Sequence, residues 1–598
     1  MATLRARDDA MCWVEPAGAT YLPVALCEIE IASRPAALQA PTERSFSGGG
    51  SVATISSGAL RIKVVCRAEV TLASLSTMVA EDAVLRICVG DESTGNGWSA
   101  NGVQIRVDWA NGEILGRTSV TGLPPLFIGR TCGGVWLSTP TLPSNLLTSR
   151  AREPDLDGVA DTLRWGYPID GRTLFAGVSL LRSAIEFVGC SSGLQVTGEW
   201  KPNDRLRPTA QDDLDAQVQA LLRSAARLPS TGTFLSLSGG IDSRAALLAL
   251  LVAGKAVPCV TLASSAASFE AEYARRVCAA CTLEHQIIYL GHDYFRQLPE
   301  LVRHAAAITG GIGALTQSVE VFLYQCLGRV YSGRISGLFG NQIGRGGVES
   351  TAVSRPQLDV LSDELGAALR DRPLQPWYSE RVRNGELGRV LTEEEGCFPS
   401  VANYAVGSAF ARQLTPYADL DLMCLARGSL RQLWRWGGTS QFAFRSRDAV
   451  HRFAGPMRQK SFQRRLLTQM GAEVQRVPLD WGWLARGSWA PRALLRSAYS
   501  VGKWGVVRVI ERSPVVSARV GAALGGHKPW ELVDWRRAVR TELREMVCDT
   551  LLAPKFLRTN LVNQHALRKL VDAHFAGKTD AFDTLAPLFE VALSITRA

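Results

Sequence analysis

A short run of serine, glycine and aspartate follows an apolar stretch near the middle of the chain. Residues 238–243 read Ser-Gly-Gly-Ile-Asp-Ser, directly after Phe-Leu-Ser-Leu. Glycine lets an anion reach backbone N–H groups, serine hydroxyls add donors, and a helix that follows points its free N–H groups at the anion. Asp242 adds a carboxylate, which suits a magnesium ion. The run predicts a pyrophosphate-binding loop; the alternative is a Ser/Gly turn in which Asp242 caps the helix.

The elements around this loop alternate between strand and helix. The lysine of a Walker loop is missing, so a loop that grips the β- and γ-phosphates in a kinase or ATPase is not predicted. Alternating elements imply a parallel sheet covered on both faces, with ligands beyond the carboxyl ends of its strands. The periodicity predicts strands over 233–237, 257–262, 285–290 and 330–336, and helices over 213–226, 243–253 and 269–280.

The chain divides into two predicted domains at a linker marked by Pro202 and Pro208. We predict an α/β fold, in which residues 1–205 form a β-rich N-terminal domain. Residues 206–598 form a doubly wound parallel-sheet domain with a helical C-terminal extension. The β-like runs of the first domain lie near residues 60–65, 83–89, 103–108 and 135–138.

The composition is that of an ordinary globular protein, with 46% hydrophobic and 20% charged residues among 598. The net charge of +10 comes mostly from scattered arginines and fits an anionic ligand or acidic peptide as well as nucleic acid. No apolar run reaches the length of a membrane span, and Asp8 and Asp9 stand where a signal peptide needs a hydrophobic core. We expect a cytoplasmic protein with no membrane or nucleic-acid partner.

The 13 cysteines are spread along the chain, many of them inside apolar segments. This distribution favours reduced, buried thiols over a disulfide framework. Cys278 and Cys281 form a lone C-x-x-C in a helical segment, without the second pair or the histidines that a zinc site needs. Core packing is therefore the predicted role of these two residues.

The run at residues 238–243 resembles the PP-loop of the ATP pyrophosphatases, a family that cuts ATP between its α- and β-phosphates. Further segments, in the same order, resemble the asparagine synthetase group of that family. Residues 117–127 and the stretch 154–200 resemble its glutamine amidotransferase domain. The others are Ser-Gly-Leu-Phe-Gly-Asn-Gln at 336–342, Thr-Pro-Tyr-Ala-Asp at 415–419 and Lys-Ser-Phe-Gln-Arg-Arg-Leu at 460–466. The resemblance implies an amidotransferase-like domain followed by an adenylating domain.

The resemblance also implies ATP and Mg²⁺ as cofactors and assigns residues to them. Lys460 takes the position of the family's catalytic lysine; the alternative is a solvated lysine in the basic run 458–465. Asp242 and Asn341 stand at the magnesium-contacting positions, where a neutral Asn341 should bind metal less strongly than an aspartate. The positions that match the family's ATP-binding residues are Leu237, Ser238, Gly239, Gly240, Asp242, Ser243, Thr261, Ser336 and Gly337.

Departures from the asparagine synthetase pattern narrow the expected substrate. Leu338 occupies the position of an acidic residue, so the general base is not identified. Glu349, Asp419 and Asp421 are candidates, and helix capping is the other role open to Asp419. The run at 340–349, Gly-Asn-Gln-Ile-Gly-Arg-Gly-Gly-Val-Glu, resembles the loop of lasso peptide cyclases. Those enzymes join the N-terminal amine of a peptide to an Asp or Glu side chain; the alternative is a surface loop with no substrate role.

The N-terminal residues bear on the source of the amine. A glutaminase of this class needs cysteine as the first residue of the mature chain, and here Ala2 follows Met1. A start at Met11 would expose Cys12, but Trp and Val follow it where the family has Gly-Ile. We expect a domain without glutaminase activity, in an enzyme whose amine comes from its own substrate.

The sequence thus predicts an ATP-dependent lasso peptide macrolactam synthetase. This ligase would adenylate an Asp or Glu side chain of a precursor peptide, join it to the peptide's N-terminal amine and release AMP and pyrophosphate. The resemblance implies a leader peptidase and a leader-binding protein as further partners. Two alternatives stay open: an asparagine synthetase or β-lactam synthetase-like amide ligase acting on a small substrate, and a non-catalytic peptide-binding scaffold. A tRNA-modifying PP-loop enzyme is disfavoured, because its cysteines would be poorly placed in a helix.

Overall fold

The computed structural model describes two sheets and the helices that pack around them. The residues described are 22–45, 51–66, 84–90, 102–108, 113–131, 134–140, 153–190, 193–199, 214–266, 268–328, 330–345, 356–372, 400–425, 462–469, 471–479, 484 and 532–597.

The first sheet is formed by the N-terminal third of the chain. Its strands pair in the order β10-β9-β5-β4-β3-β1-β7-β6-β8, with β2 on β1, and nearly all pairs are antiparallel. One helix, α1 (Leu156–Trp165), lies between β7 and β8; it begins at Asp155, whose side chain accepts from Gly158 N, and ends at a left-handed Gly166. The strands are β1 (Leu22–Ser45), β2 (Ser51–Cys66), β3 (Val84–Gly90), β4 (Gly102–Asp108), β5 (Glu113–Arg117), β6 (Phe127–Thr131), β7 (Gly134–Thr139), β8 (Val178–Leu180), β9 (Ile185–Cys190) and β10 (Gly193–Glu199).

The second sheet is parallel throughout and has five strands in the order β13-β12-β11-β14-β15. The chain therefore places β12 and β13 on one side of β11 and then places β14 and β15 on the other side. The strand order reverses between β11 and β14. The elements, in chain order, are α2 (Leu214–Arg227), β11 (Thr233–Ser236), α3 (Ile241–Val252), β12 (Cys259–Ala263), α4 (Phe269–Ala280), β13 (His285–Tyr289), α5 (His292–Thr309), α6 (Ala314–Leu327), β14 (Gly333–Ile335), α7 (Gly340–Arg345), α8 (Asp363–Asp371), α9 (Val401–Phe410) and β15 (Arg412–Leu414).

The remaining described elements are helical and pack on this sheet and on its helices. All of them except α11 contribute apolar side chains to the same buried core as α3, which is buried along most of its length. They are α10 (Phe462–Thr468), α11 (Ala472–Gln475), α12 (Trp535–Arg540), α13 (Arg544–Leu551), α14 (Pro554–Leu557), α15 (Gln564–Phe575) and α16 (Phe582–Arg597).

The prediction of an α/β fold is confirmed. Helix α4 has its predicted bounds, because Ser268 caps it at Ala271 N and the apolar spacing continues to Ala280. Helix α3 begins at Ile241, two residues before its predicted start, and β15 was not predicted. The predicted domain boundary at residues 205 and 206 lies outside the described residues, so the division into domains stays a prediction.

No single helix in the described part of the chain is long and apolar enough to cross a membrane. Helices α5 and α6 meet that criterion only as a pair, with a bend of 103° between them.

Candidate active site

Two loops meet at the point where the strand order of the parallel sheet reverses. The first loop, residues 238–243, follows β11, and the second loop, residues 336–345, follows β14. The two strands are hydrogen-bonded neighbours with Leu235 opposite Ile335, so both loops leave the same edge of the sheet. Ligands of doubly wound sheets bind in the crevice at this place. The fold therefore brings together the two segments in which most of the predicted ATP-binding residues lie.

The first loop holds its shape through its two serines. Ser238 N donates to Ser243 Oγ at 3.1 Å, the two hydroxyls lie 3.0 Å apart, and Gly240 N donates to Ser238 Oγ at 3.2 Å. Ser243 is buried, whereas Ser238 is exposed. Gly240 is the N-cap of α3 and gives no side-chain capping bond, so the interpretation of Asp242 as the cap is wrong. Backbone N–H groups at such a helix start can bind an anion.

The second loop lies directly against the first. A Cβ at Gly340 would lie 2.6 Å from Asp242 Cβ and 2.8 Å from its Cγ. A Cβ at Gly337 would lie 2.9 Å from Ser243 N. Between these glycines, the buried Phe339 has φ of 68°, a left-handed conformation that is costly for an aromatic residue. Both glycines are thus required by the close approach of the two loops.

Asp242 is held by groups from two later parts of the chain. Gln463 Nε2 donates to Asp242 Oδ1 at 2.6 Å and to Gly340 O at 2.9 Å. The hydroxyl of Tyr417 donates to the backbone carbonyl of Asp242 at 2.8 Å. Tyr417 and Gln463 are both fully buried. The carboxylate of Asp242 is therefore fixed by packing and by hydrogen bonds rather than left to rotate in solvent.

The donor set at this place fits magnesium carried by a nucleotide. No group of three or more His, Cys, Asp or Glu side chains that could hold a metal occurs among the residues described. Magnesium is commonly bound by one or two carboxylates together with substrate phosphates and water. Asp242 supplies such a carboxylate, and the amide of Asn341 follows Gly340 directly in the second loop. Mg²⁺ at these residues stays a prediction.

Leu237 and Thr261 lie beside the first loop, within the sheet. Leu237 N donates to Val260 O at 2.9 Å. The buried hydroxyl of Thr261 donates to Leu237 O at 2.8 Å and lies 2.9 Å from His285 Nε2. Burial, helped by nearby Arg275, lowers the pKa of His285, which favours a neutral ring at this contact. In this structure Thr261 positions the end of β11, and its predicted contact with nucleotide stays a prediction.

The other candidate catalytic residues fall into two groups. Lys460 and Glu349 lie outside the described residues. Asp419 forms an ion pair with Arg227, and burial raises its pKa. It also caps the helical segment that begins at Leu420, by accepting from Leu422 N at 2.9 Å. Helix capping is thus the observed role of Asp419.

Asp421, the last of the three candidate bases, is half-exposed and lies 3.9 Å from Arg223. Arg223 belongs to α2 and not to either loop. The structure therefore shows Asp421 engaged at the surface of α2.

Three residues that contact the loops were not predicted from the sequence. Gln463 and Tyr417 hold Asp242, and Thr415 Oγ1 donates to Leu338 O at 2.9 Å, which fixes the second loop. All three lie in the segments 415–419 and 460–466 that carry the family resemblance. That location was the only signal available, because none of the three has a residue type that by itself predicts a nucleotide site.

Two further features of the sequence have structural roles. Arg244 is buried at the start of α3 and donates to the carbonyls of Val477 and Pro478, so it joins α3 to the segment after α11. Cys278 is buried in α4, and burial raises the pKa of Cys281. A raised thiol pKa opposes metal binding and nucleophilic chemistry at the C-x-x-C pair.

The family model described as asparagine synthase matches residues 210–331. This segment contains the first loop and ends just before β14. No curated protein matches the chain. The match supports an ATP-dependent amide ligase of the asparagine synthetase family, forming AMP and pyrophosphate. ATP is the nucleotide that this family uses.

Proposed function

We propose that this protein is an ATP-dependent lasso peptide macrolactam synthetase. It adenylates an Asp or Glu side chain of a precursor peptide and joins that side chain to the peptide's own N-terminal amine. The observation that supports it most is the pairing of an intact first loop with a second loop, residues 336–345, that contains no acidic residue. The first loop suits nucleotide cleavage, and the second departs from the ammonia-using relatives at Leu338.

The proposed reaction has two steps. An oxygen of the peptide carboxylate attacks the α-phosphorus of ATP, and the bond from that phosphorus to the bridging oxygen of pyrophosphate breaks. The peptide's amine then attacks the acyl carbon, loses a proton and expels AMP. In this proposal the backbone N–H groups at the start of α3 and the hydroxyl of Ser238 stabilise pyrophosphate as it leaves.

Asp242 and Asn341 are the residues that would hold Mg²⁺, which would neutralise charge on the phosphates. For this role the carboxylate of Asp242 has to keep one orientation. Gln463, Tyr417 and Gly340 provide that orientation through the contacts described above. The first loop needs little rearrangement to receive a nucleotide, because its serine hydrogen bonds are already formed.

Leu338 places an apolar group where the family has an acidic one. Its side chain is half-buried, and its backbone carbonyl is fixed by the hydroxyl of Thr415. A peptide that carries both reacting groups makes the second step intramolecular, and such proximity contributes up to about 7–11 kcal/mol in favourable cases. The enzyme then needs a surface that holds the peptide in a folded conformation at the site. An apolar residue such as Leu338 is suited to such a surface.

Lys460 remains the proposed catalytic cation. Its place in the sequence, three residues before Gln463, is the one that the resemblance assigns to the family's catalytic lysine. A lysine there would stabilise negative charge in both transition states.

The test is a reaction of the full-length protein with ATP, MgCl₂ and peptides encoded beside its gene. We expect AMP to form together with a peptide product that is lighter by one water. A product amide formed only from aspartate and ammonia would instead establish a small-substrate ligase. Peptide binding without AMP would indicate the non-catalytic scaffold.

Two variants make this test specific for the first loop. Asp242→Ala should abolish AMP release. Asp293→Ala is the matched control, because Asp293 is likewise the second residue of a helix that follows a parallel strand, but lies exposed at α5. Its AMP release should equal that of the unaltered protein. Equal losses in both variants would contradict a role for Asp242 at the nucleotide.

A further inference from the structure

Gln463 is a fully buried amide that contacts both loops at once. One hydrogen of its Nε2 is donated to Asp242 Oδ1 at 2.6 Å, and the other to Gly340 O at 2.9 Å. Asp242 is 221 positions away in the sequence and Gly340 is 123 positions away. A single side chain from α10 therefore joins two loops that no local element connects.

The amide oxygen of Gln463, Oε1, shows that Nε2 is the functional end of this side chain. Gln463 Oε1 is buried and has no hydrogen-bond partner among the residues described. The reverse orientation of the amide would place Oε1 against the carboxylate of Asp242, which is repulsive, so the orientation follows from the network. A buried carbonyl without a donor lowers stability, and an apolar side chain of similar size would avoid that loss. The amide is therefore explained by what its N–H groups do.

Two further contacts restrain Asp242 beside the bond from Gln463. Tyr417 fixes its backbone carbonyl, and Gly340 lies against its Cβ, Cγ and Oδ1. With Oδ1 held by Gln463, the position of Oδ2 is determined as well. We propose that Gln463 is a positioning residue that sets the carboxylate of Asp242 for magnesium-nucleotide and locks the second loop onto the first.

This inference rests on the proposed use of the first loop for ATP. It predicts that loss of the two N–H groups weakens magnesium-dependent nucleotide binding before any chemistry occurs. Residues that orient a metal ligand typically change metal affinity by about 10–100-fold when replaced. A purely structural role of Gln463 would instead lower stability and leave the magnesium dependence of binding unchanged.

The experiment measures binding of α,β-methylene-ATP, which is not cleaved between the α- and β-phosphates, by calorimetry with and without MgCl₂. Gln463→Met keeps the size of the side chain and removes both donors. We expect its magnesium-dependent affinity to fall about 10–100-fold. Gln413→Met is the matched control: Gln413 is also buried and also gives two bonds from Nε2, but these go to Tyr324 and Ala411, neither of which belongs to the two loops. Its affinity should be unchanged.

A double-variant comparison tests whether Gln463 acts through Asp242. In an Asp242→Ala protein, the further change Gln463→Met should add no loss of magnesium-dependent affinity. If Gln463→Met does not fold, Gln463→Asn is measured in its place, since its shorter amide cannot span both acceptors. Unaltered affinity in the single variant would overturn the inference alone. Absence of magnesium-nucleotide binding by the unaltered protein would overturn the proposed function as well.

Discussion

Two aspartates with well-packed carboxylates are held by different kinds of donor. Asp161, fully buried in α1, accepts from Arg372 Nε at 2.6 Å and lies 3.3 Å from Arg172 Nη1. Arg372 lies at the end of α8, so this ion pair joins the first sheet's helix to the C-terminal half of the chain. Asp242 accepts from the neutral amide of Gln463 at 2.6 Å.

The two carboxylates have different roles, because the donors of Asp161 are charged and the donor of Asp242 is neutral. Guanidinium groups offset the charge of Asp161, which makes it part of a structural ion pair. Burial raises the pKa of Asp161, and Arg372 and Arg172 oppose that shift by stabilising the charged carboxylate. The amide of Gln463 orients Asp242 without adding a positive charge. An oriented carboxylate of this kind suits a metal-bound phosphate.

Removing the charge of Asp242 while keeping its shape gives the largest expected effect. Asp242→Asn should lower AMP release about 10³-fold, because the charge that offsets the leaving pyrophosphate is lost. The free energy of unfolding should change by less than about 1 kcal/mol, since an asparagine oxygen still accepts from Gln463. Asp161→Asn should show the reverse pattern. Steady-state AMP release and urea unfolding measure the two quantities, and equal stability losses in both variants would remove the distinction between them.

The sequence predicted those parts of the site whose signals are local. The first loop was recognisable because glycines, serines and an aspartate occur together between an apolar strand and a helix. The contact between Gln463 and Asp242 could not be predicted, because it spans 221 positions and a glutamine has many possible roles. Strand β15 has only three residues and depends on its pairing with Ile335 and its neighbours in β14. Such a strand is specified by its partner rather than by its own periodicity.

Breaking the structural ion pair should cost stability and leave catalysis intact. Arg372→Met should lower the free energy of unfolding by about 3 kcal/mol at pH 7.5, because Asp161 keeps only Arg172 as a cationic partner. The pKa of Asp161 then rises further above its usual 3.8. A carboxyl group whose pKa is higher in the folded state than in the unfolded state contributes fully to the free energy of unfolding at pH values below its unfolded-state pKa. That contribution is lost as the pH rises through its folded-state pKa. The deficit should therefore be smaller at pH 5 than at pH 7.5 in urea unfolding.

An exposed ion pair in the same half of the molecule provides the control. Arg182 and Asp170 form a salt bridge with both side chains substantially exposed. Arg182→Met should lower the free energy of unfolding by less than about 1 kcal/mol at pH 7.5. A similar loss in Arg182→Met and Arg372→Met would show that burial of Asp161 adds nothing to the pair.

A buried histidine affects stability in the same pH range, and removing it sharpens the measurement at Asp161. His574 Nδ1 accepts from Ala581 N at 3.1 Å, and burial together with Arg540 lowers its pKa from 6.5 to about 4. A depressed pKa means that stability is present above pH 6.5 and is lost as pH falls toward the folded value. Between pH 7.5 and pH 5 the loss should be about 2 kcal/mol.

His574→Asn keeps an acceptor for Ala581 N but has no titrating group. We expect the variant to lose about 2 kcal/mol less than the unaltered protein between those pH values, as measured by urea unfolding. An unchanged pH dependence would show that His574 is not the source of the acid-linked loss. The same substitution, placed in the Arg372→Met background, isolates the opposite pH dependence of Asp161.

The smallest expected effect concerns the fit between the two loops. In Gly340→Ala the new Cβ would lie 2.6 Å from Asp242 Cβ, so one loop has to shift. AMP release should fall about tenfold, equivalent to about 1.4 kcal/mol. Gly471→Ala is the control, because no atom lies within 4 Å of its Cβ position. If Gly340→Ala keeps full AMP release, the second loop does not restrain Asp242, and its orientation depends on the amide of Gln463 and the hydroxyl of Tyr417 alone.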